Sequence, residues 1–180
     1  AQPQLVAAEN NVFGCGYNSD MTEQAPTAHL TAAIWHWDVY YQAAIETAMT
    51  CGGAENFVTE MGGNAYYAGL SEGFVDASTL NELVAAPGTA AAMEAVRELI
   101  DSGEWDVFSG VKLNITVDAE AGTAAVEQVD APLMSDGYEL KDGEVVEMAN
   151  PEIVPAGGAS VTDDVIKSGM NYNVAGVVEG

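Results

Sequence analysis

The sequence predicts an α/β fold. Residues 4–10 read as the end of a helix, and residues 11–17 (NVFGCGY) follow as a short, mostly apolar strand of the buried parallel kind. Helix followed by buried strand is half of a βαβ repeat. A strong amphipathic helix comes next, with Trp37, Tyr40, Tyr41, Ala44, Ile45 and Ala48 at i, i+3, i+4, i+7, i+8 and i+11. The 180 residues, 48% of them hydrophobic, match one domain of roughly 100–200 residues with a core to bury.

Each element has a local cause. Asn18, Ser19, Asp20 and Pro26 make residues 18–29 a loop at the carboxyl end of the first strand, the edge where ligands bind in open α/β sheets. Residues 30–34 could form a short strand before the amphipathic helix, which Gly52 and Gly53 stop. The apolar runs 57–61 and 66–75, broken by Gly62, Gly63, Gly69 and Gly73, predict strand, loop and strand. Pro87 and Gly88 lead into a second helix, with Ala92, Val96, Leu99 and Ile100 on its inner face and Ser102-Gly103 as its stop.

Residues 104–180 carry little helical signal. Residues 111–117 (VKLNITV) alternate at period two and predict a strand with one wet face. Residues 138–146 read as a hairpin turning at Lys141-Asp142-Gly143. Thr162 is the expected cap of a short helix containing Val165 and Ile166.

Charge narrows the function classes. With 28 Asp+Glu and 4 Lys+Arg, the formal charge is −24, which argues against nucleic acid and anionic lipid as partners. A carboxylate-rich surface suits a saline medium, where screening relieves self-repulsion. The alternative, multivalent cation binding, calls for a spaced acidic loop. The nearest run, residues 130–147, reads as hairpin turns instead. No stretch approaches the roughly 20 apolar residues that span a bilayer.

The candidate motifs are few. Gly14-Cys15-Gly16-Tyr17-Asn18-Ser19 has glycine spacing like that of a dinucleotide loop, but a polar loop follows where a helix N-terminus should stand, so no cofactor is expected. Asn18, Ser19 and Asp20 are either turn-makers or a polar hook, in which Asn18 donates and accepts and Asp20 accepts. In Trp35-His36-Trp37, helical spacing sends the indoles about 200° apart. Trp37 then packs in the core, while Trp35, at the helix entry, either packs there too, the more common fate, or stacks on a flat ligand. His29 and His36 lack zinc-ligand spacing, and no catalytic triad or nucleophile elbow occurs, so neither metal nor catalysis is expected. Cys15 and Cys51 are either two buried thiols or one disulfide, which would close a loop of about 36 residues worth roughly 3–4 kcal/mol.

Several blocks in order along most of the chain carry a resemblance. They are residues 12–21 (VFGCGYNSDM), 25–31 (APTAHLT), 37–41 (WDVYY), 69–76 (GLSEGFVD), 100–110 (IDSGEWDVFSG), 154–157 (VPAG) and 174–180 (VAGVVEG). Together they resemble the C-terminal half of the basic membrane protein (BMP) family, the substrate-binding proteins of ABC transporters that include purine-nucleoside receptors.

The resemblance implies a type I periplasmic-binding-protein fold, two Rossmann-like lobes closing on a ligand. Complete members are about twice this length, so the expected partners are a missing N-terminal lobe of the same protein, a small-molecule ligand and an ABC permease. The implied division is residues 1–110 as part of the two-lobed domain, with a crossover helix near 36–49, then a β-rich insertion at 111–150 and a tail at 151–180 packing back. Without the other lobe, that helix should expose Trp37, Tyr41, Ala44 and Ile45. The implied ligand contacts are Asn18, Asp20 and Trp35. Family members commonly place Asp where this chain has Asn18, which loses a charge-assisted acceptor for ribose hydroxyls. The expected function is thus an extracytoplasmic solute receptor, periplasmic or anchored at the cell surface, for a small polar ligand such as a nucleoside. The competing expectation is a surface or assembly protein reusing the fold, with 111–150 making subunit contacts.

Overall fold

A computed structural model of the chain describes residues 1–176, so residues 177–180 of the last resembling block lie outside the described residues. The protein is mixed α/β and divides into two compact units between Ala90 and Ala91.

The first unit holds α1 (Gln2–Glu9), β1 (Gly14–Asn18), β2 (His29–Trp35), α2 (Trp37–Thr50), α3 (Phe57–Glu60) and β3 (Val75–Ala77). Its sheet has the order β1-β2-β3, with β1 parallel and β3 antiparallel to β2. A parallel connection usually needs a dozen or more residues and a helix. Here residues 19–28 make it with turns: the Met21 carbonyl accepts from the N–H groups of Gln24 and Ala25, and the Ala25 carbonyl from those of Ala28 and His29. This compact crossover is possible because most of the side chains packed within and against it are small. Ala25, Ala28 and Ala32 are fully buried beside His29. Buried Asn81 clamps the crossover, its Nδ2 donating to the carbonyls of Pro26 and His29 at 2.9 Å each.

The predicted strand at 57–61 is a helical turn instead. Residues Ala54–Asn56 form a 3-10 turn that runs into α3, and Met61 N–H bonds the Phe57 carbonyl at 2.9 Å. A short apolar run does not distinguish strand from helix, and with no neighbouring strand to pair with, the local i to i+4 bonds satisfy its backbone. Of the second run, only its end becomes strand, as β3. The helix α2 buries none of its residues: Trp37, Tyr41, Ile45 and Met49 are exposed, and Ala44 is half-buried.

In the second unit, α4 (Thr89–Asp101) begins just before the boundary and is followed by β4 (Val111–Asp118), β5 (Thr123–Asp130), β6 (Leu133–Lys141), β7 (Glu144–Glu147), β8 (Glu152–Val154) and β9 (Tyr172–Val174). Among the described residues, the strands β4 and β5 pair only with each other, antiparallel, from Val111↔Asp130 to Asp118↔Thr123. The longer β6 is shared by β7, β8 and β9, all antiparallel to it. Its hairpin with β7 turns through Asp142 and Gly143 at φ 53° and 83°, the left-handed pair that a two-residue loop requires. Among the described residues, the buried apolar side chains of this unit are Leu133 and Val154. The short helix expected after Thr162 contains a π turn, Val165–Gly169. The Thr162 backbone carbonyl, rather than its side chain, takes the N–H groups of Val165 and Ile166.

Candidate functional site

The carboxyl ends of β1 and β2 lie side by side, with Tyr17 opposite Ala33 and Asn18 opposite Ile34. Asn18 closes β1 at φ 79°, a left-handed conformation that Asn tolerates better than most side chains. Beyond Trp35 the chain leaves the sheet and enters α2. A bond from His36 N–H to the Phe74 carbonyl, 2.8 Å, ties that corner to the residue before β3.

This corner gathers rings from separate parts of the sequence. Tyr17 meets Trp35 edge-on at 4.8 Å between centroids, and Trp35 lies 6.3 Å from Trp37 with planes 30° apart. Trp37, Tyr40, Tyr66 and Phe74 then close a circuit, with centroid distances of 6.4 Å for Trp37 to Tyr40, 5.3 Å for Tyr40 to Tyr66, 5.2 Å for Tyr66 to Phe74 and 5.6 Å for Phe74 to Trp37. Such T-shaped pairs set the positive edge of one ring against the negative face of the next. Phe74 is buried and anchors the circuit, whereas Tyr17, Trp37 and Tyr67 are exposed.

The rings enclose an open cavity of about 670 Å³, within the usual range for small-molecule sites. Its lining is Tyr17, Asn18, Trp35, Trp37, Tyr40, Tyr66, Tyr67, Ala68 and Phe74. Aromatic faces supply area for stacking, Asn18 brings a side-chain amide that donates and accepts, and the tyrosine hydroxyls can do both. An uncharged, flat molecule with polar edges matches that surface.

Two of the expected contacts, Asn18 and Trp35, meet at this cavity, and Asp20 is outside its lining. The Asp20 carboxylate instead accepts from Thr22 N–H at 2.7 Å and lies 3.6 Å from Nε2 of fully buried His29. Hydrogen bonding from the Thr22 side chain, then from its backbone, holds the Asp20 carboxyl below its ordinary value, and His29 adds a smaller attraction. In this structure Asp20 shapes the turn that starts the crossover.

Trp35 and Trp37 depart from the helical geometry expected of them. Trp35 ends a strand and Trp37 starts the helix, so the segment between keeps the period of two that puts i and i+2 on one side. Both indoles therefore face the cavity, and Trp37 is a half-exposed wall rather than a core residue. Tyr17, Tyr40, Tyr66, Tyr67 and Phe74 were not among the expected contacts. The available signal was aromatic density beside glycine breaks, as in Tyr66-Tyr67 between Gly63 and Gly69.

Cys15 and Cys51 are free thiols, and neither is buried: Cys15 is exposed and Cys51 intermediate. The Cys51 thiol lies 3.2 Å from the Gly53 carbonyl. Among the described residues, no group of three or more His, Cys, Asp or Glu side chains is placed to hold a metal ion, and no helix is long and apolar enough to cross a membrane. No protein-family profile matches the chain, and no curated protein matches it.

Proposed function

We propose that this protein captures a small polar ligand with a flat ring, of the nucleoside class, and hands it to an ABC importer outside the cytoplasm. The observation that carries the reading is the aromatic cavity at the sheet edge, where Trp35 and Trp37 offer stacking faces beside the amide of Asn18. A base would stack on the indoles, and a sugar hydroxyl or base edge would bond Asn18. The resemblance to BMP-family receptors points to the same class of ligand. It also supports a type I periplasmic-binding fold, in which another lobe closes over the exposed rings. The −24 charge suits exposure to a saline external medium. In this reading no bond is made or broken, and release follows opening of the site.

Thermal stabilisation measured on a panel of nucleosides, free bases and sugars tests it. A nucleoside that raises the melting temperature of the wild type, and raises it less in Trp35→Ala, supports the proposal. The absence of any shift across the nucleosides would overturn the nucleoside reading.

A further inference from the structure

The chain's rare cations tend to stand opposite acids. Lys141 is the register partner of Glu144 across the β6–β7 hairpin, and Lys167 Nζ donates to Asp163 at 2.8 Å. Lys112 departs from this pattern within its own hairpin, because its partner on β5 is Val129. The strand that carries it, β4, pairs with β5 along one edge, and its other edge carries no strand among the described residues. Lys112, Asn114, Thr116 and Asp118 are all exposed on one face. On the other face Ile115 and Val117 are exposed at 47% and 44%.

An open strand edge is a template for another strand. The sequence of β4 is complementary to itself when turned end for end about Ile115. In that antiparallel register Lys112 meets Asp118 of the second strand, Leu113 meets Val117, Asn114 meets Thr116, and Ile115 meets its own copy. The opposite edge of the hairpin has no such match. Strand β5 carries Glu127 and Asp130 without a cation, so its self-pairing would only crowd carboxylates on a chain already at −24.

We infer that the free edge of β4 is a docking surface for a second copy of this chain, joined as a two-fold symmetric β4–β4 pair in register about Ile115. Two reciprocal Lys112–Asp118 pairs select the register within β4, since a two-residue slip one way sets both cations opposite Thr116 and the other way carries them past the strand end, opposite Glu120 in the turn. The apolar face of each hairpin then continues into the other through Leu113, Ile115 and Val117. This inference is independent of the aromatic cavity and of the receptor reading.

Sedimentation equilibrium on the full chain tests it through charge exchange. Lys112→Asp should weaken the dimer by at least about tenfold, and Asp118→Lys should do the same. The doubly exchanged chain, Lys112→Asp with Asp118→Lys, should recover association, which separates a lost contact from a misfolded variant. Ile115→Cys in a Cys15→Ser, Cys51→Ser background should cross-link across the symmetry axis on mild oxidation. A wild type that stays monomeric at all concentrations overturns the inference. So does a dimer indifferent to both single exchanges, or one that forms no cross-link at position 115. Nucleoside binding measured on the same variants should be unchanged, so the receptor reading succeeds or fails on its own.

Discussion

The indoles of Trp35 and Trp37 lie within 30° of parallel, 6.3 Å apart, on either side of His36. Neither is held alone: Tyr17 abuts the first edge-on and Phe74 the second. The walls of the cavity are thus ordered by ring contacts before any ligand arrives, which lowers the entropy cost of stacking. Removing Trp35 takes one face away and leaves the Trp37–Phe74–Tyr66–Tyr40 circuit in place. Trp35→Ala is expected to cost about 1–3 kcal/mol of nucleoside affinity, on the order of tenfold in Kd, with little change in melting temperature. Isothermal titration calorimetry gives the first number and a thermal melt the second. Undiminished affinity in the variant would place the ligand elsewhere.

Gly16 sits in β1 directly against the buried crossover. A methyl group there would come 2.9 Å from Cε1 of His29 and 3.1 Å from Cβ of Ala32, both of them buried. His29 cannot swing aside, because its Nε2 accepts from Met21 N–H at 3.3 Å within the packed turn. Gly16→Ala should destabilise the protein by about 1–3 kcal/mol, as overpacking of a full core does. Chemical denaturation measures the loss, and a variant as stable as the parent would show that β1 and β2 are not packed this closely.

Acid should act on the start of the same crossover. The Asp20 carboxyl has its pKa lowered below 3.8, chiefly by Thr22. A depressed folded value means the ionised form stabilises the fold at pH values above the unfolded one, and that contribution fades as pH falls from about 3.8 through the lower folded value. Asp20 is substantially exposed, so the effect is modest. Asp20→Asn should melt slightly below the parent at about pH 6, and the gap between the two should narrow as pH falls below about 3.8. A gap that stays constant over that range would mean the loss is steric rather than electrostatic.

How much of this was legible in the sequence depends on the range of the interactions involved. The helices α2 and α4 and the strand β4 follow from apolar periodicity, which operates over a turn or two of chain. The cavity needed more. Asn18 and Trp35 could be picked out as a turn-end amide and a helix-entry aromatic, but Tyr66, Tyr67 and Phe74 reach them only through the β2–β3 pairing and the His36–Phe74 bond. Nothing local encodes that convergence. Asp20 is ambiguous for the opposite reason: its residue type suits ligand binding and turn-making equally, and the bond from Thr22 N–H shows the turn-making part.

In the second unit, buried Gly110 joins three segments through its backbone. Its N–H donates to the Gly158 carbonyl at 2.9 Å, and its carbonyl accepts from Gly157 at 2.7 Å and Ala131 at 3.0 Å. A side chain has no room, since a methyl group would fall on the Pro155 carbonyl oxygen and 2.7 Å from the Gly158 nitrogen. Those atoms are themselves fixed by the bond from Gly158 N–H to that carbonyl, 2.8 Å. Relief therefore requires breaking the junction that starts β4 and leads into β6. Gly110→Ala should cost more than about 3 kcal/mol. Gly122, in the β4–β5 turn at φ 66° with open space around it, is the control: its alanine variant carries only the left-handed strain, about 1 kcal/mol. Trp105 reports on the junction, because its Nε1–H donates to the Val111 carbonyl at 2.9 Å one residue beyond Gly110. With Trp35 and Trp37 changed to Phe, the fluorescence of Trp105 should shift to the red in Gly110→Ala and stay put in Gly122→Ala. Equal losses for the two glycines would mean that the 155–158 turn does not press on β4 as closely as the geometry requires.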